Sequence, residues 1–398
     1  MKRFLSQLKY VRINDILSIF IMLLAIPKAI YLKYKRKNLW LICERENEAR
    51  DNGYWLFKYI RENYPQEDVV YAIKKDCVDY KKVKDLGEII EYGGYKHWVY
   101  YLAAEKNISS QKGGKPNAAV CYFLEIYGIL KNKRVFLQHG VIKDDMPWCY
   151  YKNTKMRLFI CGAKKEYEYL KQVYGYPEGY LQYTGLARFD GLPDLKIKQN
   201  QILIMPTWRN WLERITKESL KYDNTSDFSK TEYYQKWQEV LNDKEIKNKI
   251  ENKNLKIIFY PHSNMQNHIK DFKANSGNII IADSNSYNVQ ELLKESVFLI
   301  TDYSSIFMDF GYMRKPMIYY QFDKEKFRKG QYQEGYFKYE RDGFGPVVEN
   351  IKELKEMLFK YIDNNLKIEE RYLKKEMEFF ELYDKNNCYR NYMRIKRI

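Results

Sequence analysis

The sequence predicts an α/β protein of two doubly wound domains facing across a cleft, and three observations carry that expectation. Short apolar runs alternate with helix-period patterns along most of the chain, the signature of a parallel sheet covered by helices on both faces. The alternation pauses over residues 185–198, where turn residues and charges cluster, and then restarts. At 398 residues the chain also exceeds what one hydrophobic core usually serves.

Residues 1–37 join a basic start, Met1-Lys2-Arg3, to an apolar run over 16–26 that ends at Pro27, and then to Lys33-Tyr34-Lys35-Arg36-Lys37. The run is shorter than the ~20 residues of a spanning helix. No small-residue cleavage site follows it, which argues against a secretory leader. Basic flanks suit a segment lying on an anionic membrane face; the alternative is a helix packed in the first domain.

Residues 38–195 then read as the first domain. Strands are expected at 39–43, 69–73, 89–90, 107–110, 135–137 and 157–161, with helices at 52–62 and 166–174. Residues 196–365 read as the second, with strands at 202–205, 255–260, 278–281, 297–300 and 317–320. Its helices are expected at 231–250, 289–294 and 306–313. Residues 366–398 complete the chain as a helical segment, and 209–230 is a candidate mobile loop.

The formal charge of +17 calls for an anionic partner. No zinc-finger spacing or RNP-type motif is present, so nucleic acid is disfavoured. The six cysteines form no C-x-x-C pair and suit a reducing cytoplasm. No metal or other cofactor is expected, because the one adjacent acidic pair near the motifs, Asp144-Asp145, reads as a solvated loop.

Chemistry gathers where strands end. Gln138-His139-Gly140 follows one apolar run and Tyr260-Pro261-His262 another, one histidine in each half. Met205-Pro206-Thr207-Trp208-Arg209 delivers Thr207 and Arg209 to a third strand end, and a guanidinium fork suits a phosphate. Thr301-Asp302-Tyr303-Ser304-Ser305 lies between a strand and a helix start, where unpaired N–H groups and the Ser304 and Ser305 hydroxyls can hold an anion or cap the helix.

In this order, these motifs resemble the CDP-glycerol glycerophosphotransferase family, the polymerases and primases of wall teichoic acid and related capsule polymers. Lys315 to Asp323 and Gly345-Pro346 are similar as well, so the resemblance covers roughly residues 130–350. It departs at Gln138-His139-Gly140-Val141, where the family commonly has Trp-His-Gly-Thr, and at Asp342-Gly343-Phe344-Gly345-Pro346. The resemblance implies a GT-B fold with the CDP-linked donor held mainly by the second domain. It also implies a peripheral enzyme on the cytoplasmic face of the cell membrane, acting on a lipid-linked acceptor.

On that footing glycerol phosphate, or a related polyol phosphate, passes from CDP-glycerol to an acceptor hydroxyl and CMP leaves. His139 is the expected base, because histidine's ordinary pKa of ~6.5 suits proton abstraction. Gln138 and Gly140 lie on the acceptor side. His262, Arg209, Thr207, Ser304 and Ser305 would stabilise the phosphates, Asp302 would order the loop or bind a hydroxyl, and Gln321 would reach a hydroxyl. The rival readings are a glycosyltransferase using a nucleotide sugar and a polyanion-binding membrane adaptor.

Overall fold

A computed structural model of the chain describes residues 12–193, 198–212 and 227–398. It divides into two units, the first made of residues up to Val141, Pro147–Gly191 and Leu382–Ile398, the second of Ile142–Met146 and Leu192–Glu381.

The first unit is built on a seven-stranded sheet: β1 (Trp40–Cys43), β2 (Val69–Ile73), β3 (Glu88–Glu91), β4 (Lys106–Ser109), β5 (Lys133–Phe136), β6 (Leu158–Cys161) and β7 (Leu181–Tyr183). Every pairing is parallel and the order is β3-β2-β1-β4-β5-β6-β7. All residues of β1, β2 and β6 are buried, as strands covered on both faces require. The period of two then sorts them. Trp40 and Ile42 join Leu56, Phe57 and Ile60 of helix α2 (Asn52–Asn63) and Tyr392 and Ile395 of the C-terminal helix Asn387–Lys396. Leu41 and Cys43 pack on the other face with Ala25, Ala29 and Trp98.

The second unit carries a six-stranded parallel sheet: β8 (Lys198–Ile204), β9 (Lys256–Phe259), β10 (Ile279–Ile281), β11 (Ser296–Thr301), β12 (Met317–Tyr320) and β13 (Val347–Val348). Its order, β10-β9-β8-β11-β12-β13, repeats the logic of the first. In each sheet the order reverses beside the first strand, between β1 and β4 and between β8 and β11. Loops leaving the carboxyl ends there diverge and open a crevice, the usual ligand position in such folds.

Four details differ from the sequence expectations. Helix α1 runs Ile13–Lys35 through Pro27, where the expected apolar run ended. Proline removes one intrahelical hydrogen bond. The helix continues because its small residues Ser18, Ala25 and Ala29 are buried against α3 (Tyr95–Ala103), with Trp98 Nε1 donating to Ser18 Oγ at 3.2 Å. The helix expected over 231–250 is two, Glu232–Asn242 and Lys244–Asn252, because Asp243 accepts from Ile246 N–H and caps the second. Residues 185–191 are a buried turn of the first unit, with Leu186 and Phe189 fully buried. Turn composition alone does not separate an exposed linker from such a turn. The C-terminal segment is also divided, 366–381 lying in the second unit and 382–398 in the first. Met1 to Arg3 and most of the loop expected over 209–230 lie outside the described residues.

Helix Glu370–Phe379 buries Glu376, whose two carboxylate oxygens accept no hydrogen bond among the described residues. Burial pushes its pKa up to about 10. A carboxyl that stays protonated when folded but ionises near its ordinary value when unfolded loses stability as pH rises between those two values. Glu376→Gln is expected to raise stability at pH ~8 by about 1–3 kcal/mol and to change little near pH ~4.5. Urea melts at the two pH values measure this; an equal effect at both would reject it.

Candidate active site

In the first unit, His139 stands just past the end of β5, and its ring is 61% exposed. The preceding residue, Gln138, adopts a left-handed backbone with φ 67°. That bend is pinned from inside: Asn52 Nδ2 donates to the Gln138 carbonyl at 2.7 Å, and Gln138 Nε2 donates to Glu166 at 2.6 Å. Gln138, expected on the acceptor side, is buried with its amide bonded to Glu166, and it holds the turn that presents His139. Gly140 is half-buried beside the histidine.

The imidazole meets residues that sequence reading did not single out. His139 Nδ1 lies 2.6 Å from Asp51 Oδ2 and 2.6 Å from Gln111 Nε2, which itself donates to Asp51 at 3.0 Å. Asp51 Oδ1 accepts from Asn52 N–H and from Arg188 Nη1, each at 2.8 Å. Burial would raise the Asp51 carboxyl, but the facing His139 ring, the Arg188 guanidinium and the Asn52 N–H outweigh it and hold it below the usual value. Asp51 reads locally as a helix cap, so the one sequence signal was its place before α2.

Glu44, at the end of β1, sets where Asp51 stands. Its carboxylate accepts from the N–H groups of Arg50, Asp51, Gly53 and Tyr54 and from the hydroxyls of Tyr71 and Ser110. Burial and the adjacent Asp51 push it up to about 7, against those donors. Glycine at position 53 leaves room for this carboxylate, since a Cβ there would lie 2.9 Å from Glu44 Oε1. The assembly occupies the crevice between β1 and β4.

In the second unit, the loops after β8 and β11 interlock. Asp302 is fully buried and accepts from Thr207 N–H (2.9 Å) and Tyr303 N–H (2.6 Å) through Oδ1 and from Arg209 (2.9 Å) through Oδ2. Burial raises the Asp302 carboxyl while Arg209 pulls it down. Arg209 is also fully buried, its fork closed on Asp323 by bonds of 2.7 and 3.0 Å, and Tyr303, Tyr233 and Phe327 surround the guanidinium at 5.1–5.2 Å. Where the sequence suggested a phosphate contact, the Arg209 guanidinium here meets two carboxylates and backbone carbonyls. Gln321 is engaged likewise. It is 1% exposed and donates to the Asp302 carbonyl at 3.2 Å, which ties the loop rather than reaching a substrate hydroxyl. Thr207 is buried, with its N–H engaged.

Ser304 is buried and Ser305 exposed, just before helix Ile306–Tyr312. Ser304 Oγ lies 3.5 Å from Ile306 N–H, the limit of a hydrogen bond, and Ser305 makes no side-chain cap. His262, half-buried after β9, caps a short 3₁₀ turn by accepting Asn264 N–H at Nδ1, 3.1 Å away. A neutral His262 therefore carries its proton on Nε2, which makes that nitrogen a donor. His97 is a core residue, pushed down to about 3 by burial. Among the described residues, no group of three or more His, Cys, Asp or Glu side chains could hold a metal ion.

Comparison with known proteins agrees with this architecture. The family model described as CDP-Glycerol:Poly(glycerophosphate) glycerophosphotransferase matches residues 166–397, more than half of the chain. The minor teichoic acid biosynthesis protein GgaB of Bacillus subtilis (strain 168) is 32% identical over 375 residues, covering 92% of this chain; the chain spans 40% of the length of GgaB. Among solved structures, the wall teichoic acid polymerase TagF superposes with a TM-score of 0.64 over 97% of both chains at 16% identity, a likeness of fold. The UDP-GlcNAc 2-epimerase from Neisseria meningitidis shares the fold at a TM-score of 0.54 and 10% identity, over 91% of this chain and 100% of that one. The two units thus have the GT-B arrangement of strands, which by itself hosts more than one chemistry. The family match and the GgaB alignment decide between them: the chain belongs to the CDP-glycerol:poly(glycerophosphate) glycerophosphotransferase family.

Proposed function

We propose that the chain transfers glycerol phosphate, or a related polyol phosphate, from CDP-glycerol to a hydroxyl of a lipid-linked teichoic-acid or capsule-type acceptor, releasing CMP. The observation that carries this reading is an exposed imidazole, His139, at a strand end with a buried carboxylate on its Nδ1. His139 stands ahead of the residues that the family model matches, and its role rests on that geometry.

In the proposed step the acceptor hydroxyl gives its proton to His139 Nε2 as its oxygen bonds to the distal phosphorus of CDP-glycerol. The bond from that phosphorus to the bridging oxygen breaks, and CMP leaves with the electron pair. Charge spreads over the phosphoryl oxygens and needs preorganised donors. His262 Nε2–H and the Ser305 hydroxyl are the side chains suited to that work in the second unit, with Thr207 and Asp302 shaping the loop beneath them. The two histidines thus take opposite parts, one accepting a proton and one donating a hydrogen bond.

Incubation with CDP-glycerol, CDP-ribitol and a panel of lipid-linked acceptors, read by product mass, tests the reading. Release of CMP with a product heavier by one polyol phosphate is expected; release of a nucleoside diphosphate from a nucleotide sugar would instead establish the glycosyltransferase alternative. His262→Ala and Ser305→Ala are each expected to weaken CDP-glycerol binding by about 1–2 kcal/mol, five- to thirtyfold. Calorimetric titration of the donor reads this, and unchanged affinity would remove both from the donor site.

We also propose a peripheral position on the cytoplasmic face of the membrane. Helix α1 is 23 residues long with a hydropathy of 1.9, enough by length and composition to cross a bilayer. Its small-residue side is buried against α3, while Leu17 (59%), Phe20 (61%) and Leu24 (71%) are exposed, which favours lying in the interface. Changing Phe20 and Leu24 to Ser is expected to cut binding to phosphatidylglycerol vesicles at least about tenfold, on ~0.8 kcal/mol per buried methylene. Undiminished co-sedimentation would count against it.

A further inference from the structure

We infer that Asp51 and Arg188 are positioning residues that hold His139 as its Nδ1–H tautomer, and that the C-terminal helix holds Arg188 in place. This rests on the reading of His139 as the base.

The tautomer follows from the 2.6 Å approach of His139 Nδ1 to Asp51 Oδ2. An ionised carboxylate only accepts, so an unprotonated Nδ1 at that distance would set lone pair against lone pair; Gln111 Nε2, equally near Nδ1 at 2.6 Å, has Asp51 as its own acceptor at 3.0 Å and does not need the ring nitrogen. The proton belongs on Nδ1, and the lone pair that removes a substrate proton is left on Nε2. A neutral imidazole free in water mostly has the other arrangement. The carboxylate therefore reverses the default and makes the outward nitrogen basic.

Arg188 fixes the geometry of both partners. Its Nη1 donates to Asp51 Oδ1 at 2.8 Å and to the His139 carbonyl at 2.6 Å, so one nitrogen ties the orienting carboxylate to the backbone of the residue it orients. The Arg188 N–H donates to Asn52 Oδ1 at 2.9 Å. A buried ion pair of this kind returns little net stability after desolvation, and what it supplies here is geometry.

Residues 184–191 reach this position because the C-terminal helix clamps them. Asp190 accepts from Asn387 N–H and Cys388 N–H, each within 2.9 Å. Asn391 donates to the Gly185 carbonyl at 2.9 Å and accepts from the Thr184 hydroxyl at 2.9 Å. Gly185 has φ 78°, and a Cβ there would stand 1.8 Å from Asn387 Oδ1, so only glycine permits this contact. Residues almost two hundred positions downstream of Arg188 thus bear on the base.

With four histidines in the chain, ¹⁵N-histidine labelling resolves the ring nitrogens, and a His139→Ala sample identifies those of His139. Long-range ¹H–¹⁵N spectra of the full chain at alkaline pH are expected to show the Nδ1–H form. In Asp51→Asn, whose amide can donate to an unprotonated Nδ1, the Nε2–H form should appear. In the transfer assay the same variant should lower kcat about 10²–10⁴-fold with KM for CDP-glycerol within about threefold, the pattern of a wrong tautomer in an intact site. Arg188→Lys should retain the tautomer and fall between the two in kcat. It also serves if Asp51→Asn fails to fold. Asn387→Ala should lower kcat without moving that KM. An Nε2–H form in the unmutated protein, or Asp51→Asn with unchanged tautomer and kcat, overturns the inference. A correct tautomer with no transfer from any CDP-polyol would leave the positioning intact and overturn the proposed reaction instead.

Discussion

His139→Ala is expected to lower turnover about 10²–10⁴-fold, the range for loss of a general base, while CDP-glycerol binds as before. The side chain is 61% exposed and fills no core space, so its removal should cost little beyond its bond to buried Asp51, about 1–2 kcal/mol. That separation makes the result interpretable, since loss of activity in a chain that still melts cooperatively above the assay temperature cannot be assigned to unfolding. CMP release and donor titration on the same sample check it. Undiminished turnover would remove His139 from the chemistry, and a parallel loss of donor affinity would place it among the binding groups.

Arg209→Met should act in the opposite way, through the fold. It leaves Asp302 and Asp323 buried with no guanidinium between them, and breaking a buried ion pair from one side typically costs about 3–5 kcal/mol. Burial already raises Asp302, so that orphaned carboxyl would take up a proton, and the loss should be smaller in mild acid than at neutral pH. A phosphate ligand at position 209 would instead predict weaker CDP-glycerol binding with little change in stability. Urea unfolding beside donor titration distinguishes the two outcomes.

These residues also show where sequence reasoning was adequate and where it failed. The alternation of apolar runs was enough for two parallel α/β sheets, because strands buried on both faces must be apolar throughout. The strand-end motifs located His139, His262 and the Asp302 turn, since ligand loops leave parallel strands at their carboxyl ends. Roles were harder to read than places. Arg209 in a motif looks the same whether its fork meets a phosphate or two carboxylates. Asp323 was in view as part of a motif, but nothing local showed that it would face a residue 114 positions away.

The chain order of residue types determined the fold class, the two strand-end histidines and the apolar N-terminal helix, because period and turn chemistry are local properties. Which carboxylate faces which imidazole was decided only in three dimensions. Asp51 and Arg188 reach His139 from positions 88 and 49 residues away, brought there by sheet order and by a helix at the far end of the chain. Such contacts depend on tertiary packing, which leaves no periodic trace in the sequence.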